Sequence, residues 1–127
     1  MIDADLYGRI SFCVKAELLT KLSSRFFPST LYPMLLRVVR MTFDPARVPA
    51  FLALFRASEH RIRQQPGCLH LELWQDADQP HIYCTFSRWA SVEDLDNYRR
   101  SALFGEVWPA TKKLFAAVPL AFSSTLV

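Results

Sequence analysis

Tyr98, His70 and Arg40 are the residues of this chain best suited to handling an anion or moving a proton. A tyrosine phenol can orient a substrate oxygen or donate a hydrogen bond to an oxyanion. A histidine with a reference pKa of ~6.5 suits a general base near neutral pH. An arginine guanidinium can hold an enolate or phenolate oxygen. Around them, Trp89, Phe104 and Trp108 are the candidate substrate-binding rings, since an apolar wall with a few polar tips is what a flat organic molecule needs. Each residue also has a plainer reading. Tyr98 can be a core tyrosine whose hydroxyl reaches a backbone partner, and His70 a satisfied sheet or interface histidine. Arg40 can be half of an interstrand ion pair, with Glu72 the carboxylate that Arg37, Arg40 or Arg88 would meet.

A metal is a weaker use of the same residues. His70 and Glu72 alternate onto one strand face with Cys68 next along, and such ligands suit zinc. A structural zinc site takes four ligands, however, and His60 and His81 fall in other elements. No metal site is expected. No Ser-His-Asp order is visible, and three glycines in the whole chain exclude a Gly-rich phosphate loop. Arg99-Arg100 and Lys112-Lys113 read as solvated helix charges.

The elements that must position these residues follow from the apolar pattern. Met34 to Phe43 is a strand that is apolar on both faces, which implies burial on both. Asp44-Pro45 starts a helix that is well established after Pro49, with Val48, Phe51, Leu52, Phe55, Glu59 and Ile62 on its buried stripe. Pro66-Gly67 ends it. Strands from Cys68 to Gln75 and from His81 to Trp89 flank the turn Asp76-Ala77-Asp78-Gln79-Pro80 and form an antiparallel hairpin. Ser91 then caps a short helix carrying Leu95 and Tyr98, and Ser101 opens a second with Phe104 and Trp108 on its inward face. Pro109 predicts a kink near Gly105. Val118 to Val127 is a closing strand. The order strand, helix, strand, strand, helix pair, strand is the α+β, ferredoxin-like split βαβ arrangement with an antiparallel four-stranded sheet. If Trp74 and Phe86 lie on the sheet face away from the helices, a second copy of the chain is the simplest cover, so a homodimer is expected.

Composition narrows the classes further. The 127 residues make one domain, over 34–127, with residues 1–33 as an N-terminal extension that two prolines keep irregular and charges keep from resembling a secretory signal. At 51% hydrophobic, the chain can build a core without disulfides or metal. A net charge of +3 from interspersed residues is too weak for a nucleic-acid partner. No apolar run reaches membrane-spanning length, so no membrane partner is expected. Cys13, Cys68 and Cys84 are odd in number and form no C-x-x-C, which fits reduced thiols in a cytoplasmic protein.

Pro66-Gly67-Cys68 before the second strand, together with Trp89-x-Ser91-x-x-x-Leu95-x-x-Tyr98-x-x-Ser101-x-x-Phe104, resembles the antibiotic biosynthesis monooxygenase domain family over residues 34–127. The resemblance implies a dimeric α+β barrel, with Trp89 as the corner tryptophan and Tyr98 where members place a pocket His, Trp or Tyr. It also implies oxidation of a small quinol- or anthrone-like aromatic by O₂ without cofactor, the substrate carbanion supplying the electrons. On that footing one pocket per subunit lies between sheet and helices, His70 or a water is the base, and Arg40 and Tyr98 hold the anion. The alternative is a non-catalytic, small-molecule-binding or stress-related dimer of the same fold, since sites rather than folds carry function. An open pocket with a polar group beside Tyr98 separates the first from the second.

A second branch of that family binds and degrades haem, using an Asn, a Trp and an iron-ligating His. The positions matching these are Val39, Tyr98 and Trp108, and an indole nitrogen has no lone pair for iron. Titration with haemin is therefore expected to give no stoichiometric Soret shift. A sharp one-to-one shift that decays with reductant and O₂ would overturn this.

Overall fold

The computed structural model describes residues 34–127. The expected extension over 1–33 lies outside the described residues. Strand β1 (Leu35–Thr42) leads through a 3₁₀ turn (Pro45–Arg47) into helix α1 (Val48–Arg63). Strands β2 (Cys68–Gln75) and β3 (Ile82–Trp89) follow, then helices α2 (Val92–Arg99) and α3 (Ala102–Lys112), and finally β4 (Leu120–Thr125). All pairings are antiparallel and the strand order is β2-β3-β1-β4. The split βαβ arrangement with a four-stranded antiparallel sheet is thus present.

The barrel is not. β2 and β4 are the two edges of the sheet, held apart by β3 and β1, and they do not pair. A barrel needs its edges joined by a hydrogen-bonded ladder, so the sheet is open and that part of the expectation is corrected.

β1 is central because both its neighbours run antiparallel to it. Its Met41, with Phe43 just beyond it, packs under α1 against Phe51 and Phe55. Phe43 is fully buried and stacks on Phe51 with ring centroids 4.1 Å apart. Asp44 starts the turn before α1 by accepting from the Ala46 N–H at 3.0 Å, so Pro45 and Pro49 fall where a missing donor is harmless. One residue of the expected stripe moves: Ser58 rather than Glu59 is buried. The Ser58 hydroxyl donates to the Leu54 carbonyl at 2.7 Å, so it needs no water. Glu59 turns outward to Arg63, 3.2 Å away.

The corner between β3 and α2 is built around Trp89, which is 1% exposed. Ser91 caps α2 by accepting from the Asp94 N–H at 3.1 Å, and its hydroxyl donates to Asp94 Oδ2 at 3.0 Å. Ser101 does the same for α3 and joins the two helices: its hydroxyl donates to the Tyr98 carbonyl at 2.6 Å and accepts from the Phe104 N–H at 3.2 Å. α3 runs unbroken through Pro109.

Gly67 closes the corner from the other side. Its carbonyl accepts from the Ala90 N–H at 2.8 Å, and its φ of 81° lies in the left-handed region. A Cβ there would overlap the Asp94 side chain. Gly67→Ala is expected to add roughly 1–2 kcal/mol of backbone strain, before Asp94 moves. For a domain of this size that is a loss of about 5–10 °C in Tm. A thermal melt unchanged from that of the parent protein would contradict it.

Candidate functional site

Between the sheet and the three helices lies a cavity of about 210 Å³. Its aromatic wall is Trp89, Tyr98, Phe104 and Trp108, the rings expected from spacing, with Phe51 and Phe55 beneath. The rings form a continuous stack. Tyr98 lies against Trp89 with centroids 5.1 Å apart and planes at 21°, and meets Phe104 edge-on at 5.2 Å. Phe104 stacks on Trp108 at 5.8 Å. Contacts of this kind hold each ring in one orientation.

The polar tips follow from the same geometry. The Trp89 indole N–H donates to Ser87 Oγ at 3.0 Å, so toward the cavity Trp89 offers only its ring. No protein group among the described residues takes the Tyr98 hydroxyl, which sets it apart from a core tyrosine tied to the backbone. Burial, with the nearby Cys68 thiol adding a smaller contribution, pushes its pKa up to about 12. At neutral pH the phenol therefore keeps its proton and can donate to an anion.

His70 and Arg40 are not brought to this cavity. In the register, His70 stands opposite Arg88 and Arg40 opposite Cys84, on the sheet face away from the helices. There His70 Nε2 lies 2.5 Å from Glu72 Oε2, and Glu72 Oε1 accepts from the Trp74 indole at 2.6 Å. Arg40 meets Asp76 at 3.4 Å rather than Glu72. Cys68 also leaves the trio expected on one face of β2. A register shift between Cys68 and His70 sets Cys68 opposite Trp89, on the helix side. Among the described residues, no group of three His, Cys, Asp or Glu is arranged to hold a metal.

Two residues that spacing did not single out take their place. Arg37 and Arg99 both line the cavity. Arg37 is two residues from Val39 and so shares its face. Its Nη1 donates to Ser123 Oγ at 3.1 Å. Burial lowers its pKa, and the positive charge of Arg99 lowers it further. Arg99 is exposed, as expected of a solvated helix charge, but it also borders the cavity, whereas Arg100 bonds to the Asn97 side chain at 2.9 Å. Arg99 lies four residues after Leu95, on the side of α2 that borders the cavity, and that spacing was the available signal.

A second depression, of about 340 Å³, lies where β1 ends, lined by Pro45, Val48, Gln75, Pro80, His81 and Tyr83. It is shallow and carries no pair of charges, so the ring-lined cavity is the candidate site.

An open four-stranded antiparallel sheet, covered on one face by helices that enclose an aromatic cavity, defines a ferredoxin-like α+β domain. Residues 34–108, well over half of the chain, match the family model described as antibiotic biosynthesis monooxygenase, and the chain belongs to that family. Solved structures share the fold. One described as an antibiotic biosynthesis monooxygenase has a TM-score of 0.69 at 20% identity, covering 73% of this chain and 98% of its own. A conserved protein from Methanosarcina mazei Go1 scores 0.70 at 19% identity, covering 74% and 93%. Rv0793 from Mycobacterium tuberculosis scores 0.69 at 21% identity, covering 74% and 95%. At these identities the likeness shows the fold alone. No curated protein matches the chain. No helix among the described residues is long and apolar enough to cross a membrane.

Proposed function

We propose that this protein is a cofactor-independent monooxygenase that oxidises a small quinol- or anthrone-like aromatic with O₂ in the ring-lined cavity. The observation that carries the reading is the Tyr98 hydroxyl, proton-bearing and without a partner among the described residues, set among aromatic rings. A cavity of ~150 Å³ holds benzene, so about 210 Å³ has room for an aromatic ring with its substituents. A water takes the substrate proton, since His70 lies on the far face of the sheet. The resulting carbanion is stabilised by the Tyr98 O–H and passes its electrons to O₂. Overall a ring CH₂ loses two C–H bonds and gains one C=O, while the second oxygen atom leaves as water. The free thiols Cys68 and Cys84 fit a reducing, cytoplasmic setting.

Tyr98→Phe removes one donor and nothing else. Oxygen uptake on a panel of hydroquinones and anthrones is expected to fall ~10²-fold, with little change in melting temperature. Undiminished uptake in the variant, or none with any substrate in the parent protein, would overturn the reading.

The second part of the proposal is a homodimer through the sheet face that the helices leave uncovered. Trp74, Phe122 and Leu120 are 42%, 46% and 59% exposed there, and Phe86 lies beside Trp74 with centroids 6.1 Å apart. A patch of this kind exceeds the scattered apolar exposure of a monomer. A two-fold axis sets it against its own copy. Sedimentation is expected to give a dimer at micromolar concentration, and Trp74→Glu to shift it toward monomer. A well-folded native monomer would contradict this.

A further inference from the structure

The proposed reaction needs an oxyanion held at Tyr98, but it gives no role to the two guanidiniums in the same wall. Arg37 and Arg99 both line the cavity, and the Arg37 pKa is lowered first by burial and then by the positive charge of Arg99. Neither meets a carboxylate among the described residues, whereas Arg40, Arg61 and Arg63 pair with Asp76, Glu106 and Glu59. Among the described residues, the polar side-chain partner of Arg37 is neutral, the Ser123 hydroxyl. In the register Arg37 stands between Ser87 and Ser123, so both its sheet neighbours in that row are uncharged hydroxyls. Two cations lining one apolar cavity, with no carboxylate partner among the described residues, attract an anion from outside.

We propose that Arg37 and Arg99 make this cavity selective for an aromatic carboxylate, whose ring lies among Trp89, Phe104 and Trp108 while its carboxylate is held by the two guanidiniums. The proposal rests on the cavity being the substrate site. A carboxylate fits better than a phosphate for two reasons. Phosphate sites draw on backbone N–H groups at a helix N-terminus, whereas Arg99 is the last residue of α2. That end of the helix carries partial negative charge, which opposes a doubly charged group. A planar carboxylate matches the planar guanidinium fork and forms charge-assisted hydrogen bonds to it. The carboxylate then fixes which ring position reaches Tyr98. Thr85, Ser87 and Thr111 add neutral hydroxyls to the wall and do not compete for the cations.

The test compares two probes of one ring, para-dihydroxybenzoate and its neutral methyl ester, titrated anaerobically against the intact protein by quenching of tryptophan fluorescence. The acid is expected to bind about tenfold more tightly than the ester at low ionic strength, and the preference to shrink as salt is added. Arg99→Gln changes an exposed residue and is expected to bring the preference below about threefold. Arg37→Gln is expected to do the same, and Arg37→Lys to keep part of it. Equal binding of acid and ester by the parent protein, or a full preference surviving in Arg99→Gln, would overturn the anion site. The two proposals fail separately. Selective binding of the acid with no oxygen uptake leaves the anion site standing and removes the monooxygenase. Oxygen uptake on the ester without preference for the acid removes the anion site alone.

Discussion

The alternation of β1 is the constraint on which the rest of this molecule depends. A central strand with antiparallel neighbours on both sides cannot slip by one residue without exchanging its faces. Its odd-numbered residues therefore face the helices and its even-numbered residues the other side. That single parity sets Arg37, Val39 and Met41 in the cavity wall and leaves Arg40 with Asp76 on the far face. It propagates through the register, so Ser87 of β3 and Ser123 of β4 flank Arg37. A guanidinium lodged between hydroxyls is held in place without being neutralised. The chemistry of the cavity follows from a choice of face made once, in the middle of the sheet.

The helices above the sheet are positioned by short-range hydrogen bonds rather than by length. α2 has only 8 residues, too few to persist alone. It is defined by Ser91 at its start, by Ser101 just past its end, and by Trp89 and Leu95 packed together beneath it. Ser101 matters most for the site. One hydroxyl bridges the Tyr98 carbonyl and the Phe104 N–H, and the two rings those residues carry meet edge-on in the cavity. At the other end of α2, Gly67 lets the chain turn back under the β3–α2 corner where any side chain would strike Asp94. The cavity is thus assembled from local caps on one side and long-range strand pairing on the other.

Much of this was legible from local chemistry. Caps, turn residues and helical spacing are short-range signals, and they placed the strands, the Ser91 and Ser101 starts, and the ring wall of Tyr98, Phe104 and Trp108. What could not be read locally was which face of β1 the helices cover, because a strand apolar on both sides carries no mark of its inside. Arg40 was therefore as plausible a wall residue as Arg37. His70 keeps the face it shares with Glu72 and Trp74, and which side of the sheet that face meets was as unreadable as for β1; Cys68 alone departs, because the register shift between Cys68 and His70 leaves no trace in the alternation of Leu69, Leu71 and Leu73. Closure of the sheet belongs to its edges, and no single segment encodes whether two edges meet. Arg99 was different, since it is solvated as expected, and only its spacing from Leu95 marks it as bordering the cavity as well.

Pro109 gives α3 a property the other helices lack. It has no N–H to offer the Gly105 carbonyl one turn earlier, and Gly105 has no side chain and nothing within 4 Å of where one would be. The missing rung and the bare residue fall in the same turn, and that turn lies between Phe104 and Trp108. Of the surfaces enclosing the cavity, the sheet is braced by its ladders and α1 by Phe43 and Phe51, so the compliant side is α3. With one backbone bond fewer in the turn between Phe104 and Trp108, α3 is by that count the least constrained of the surfaces that enclose the cavity.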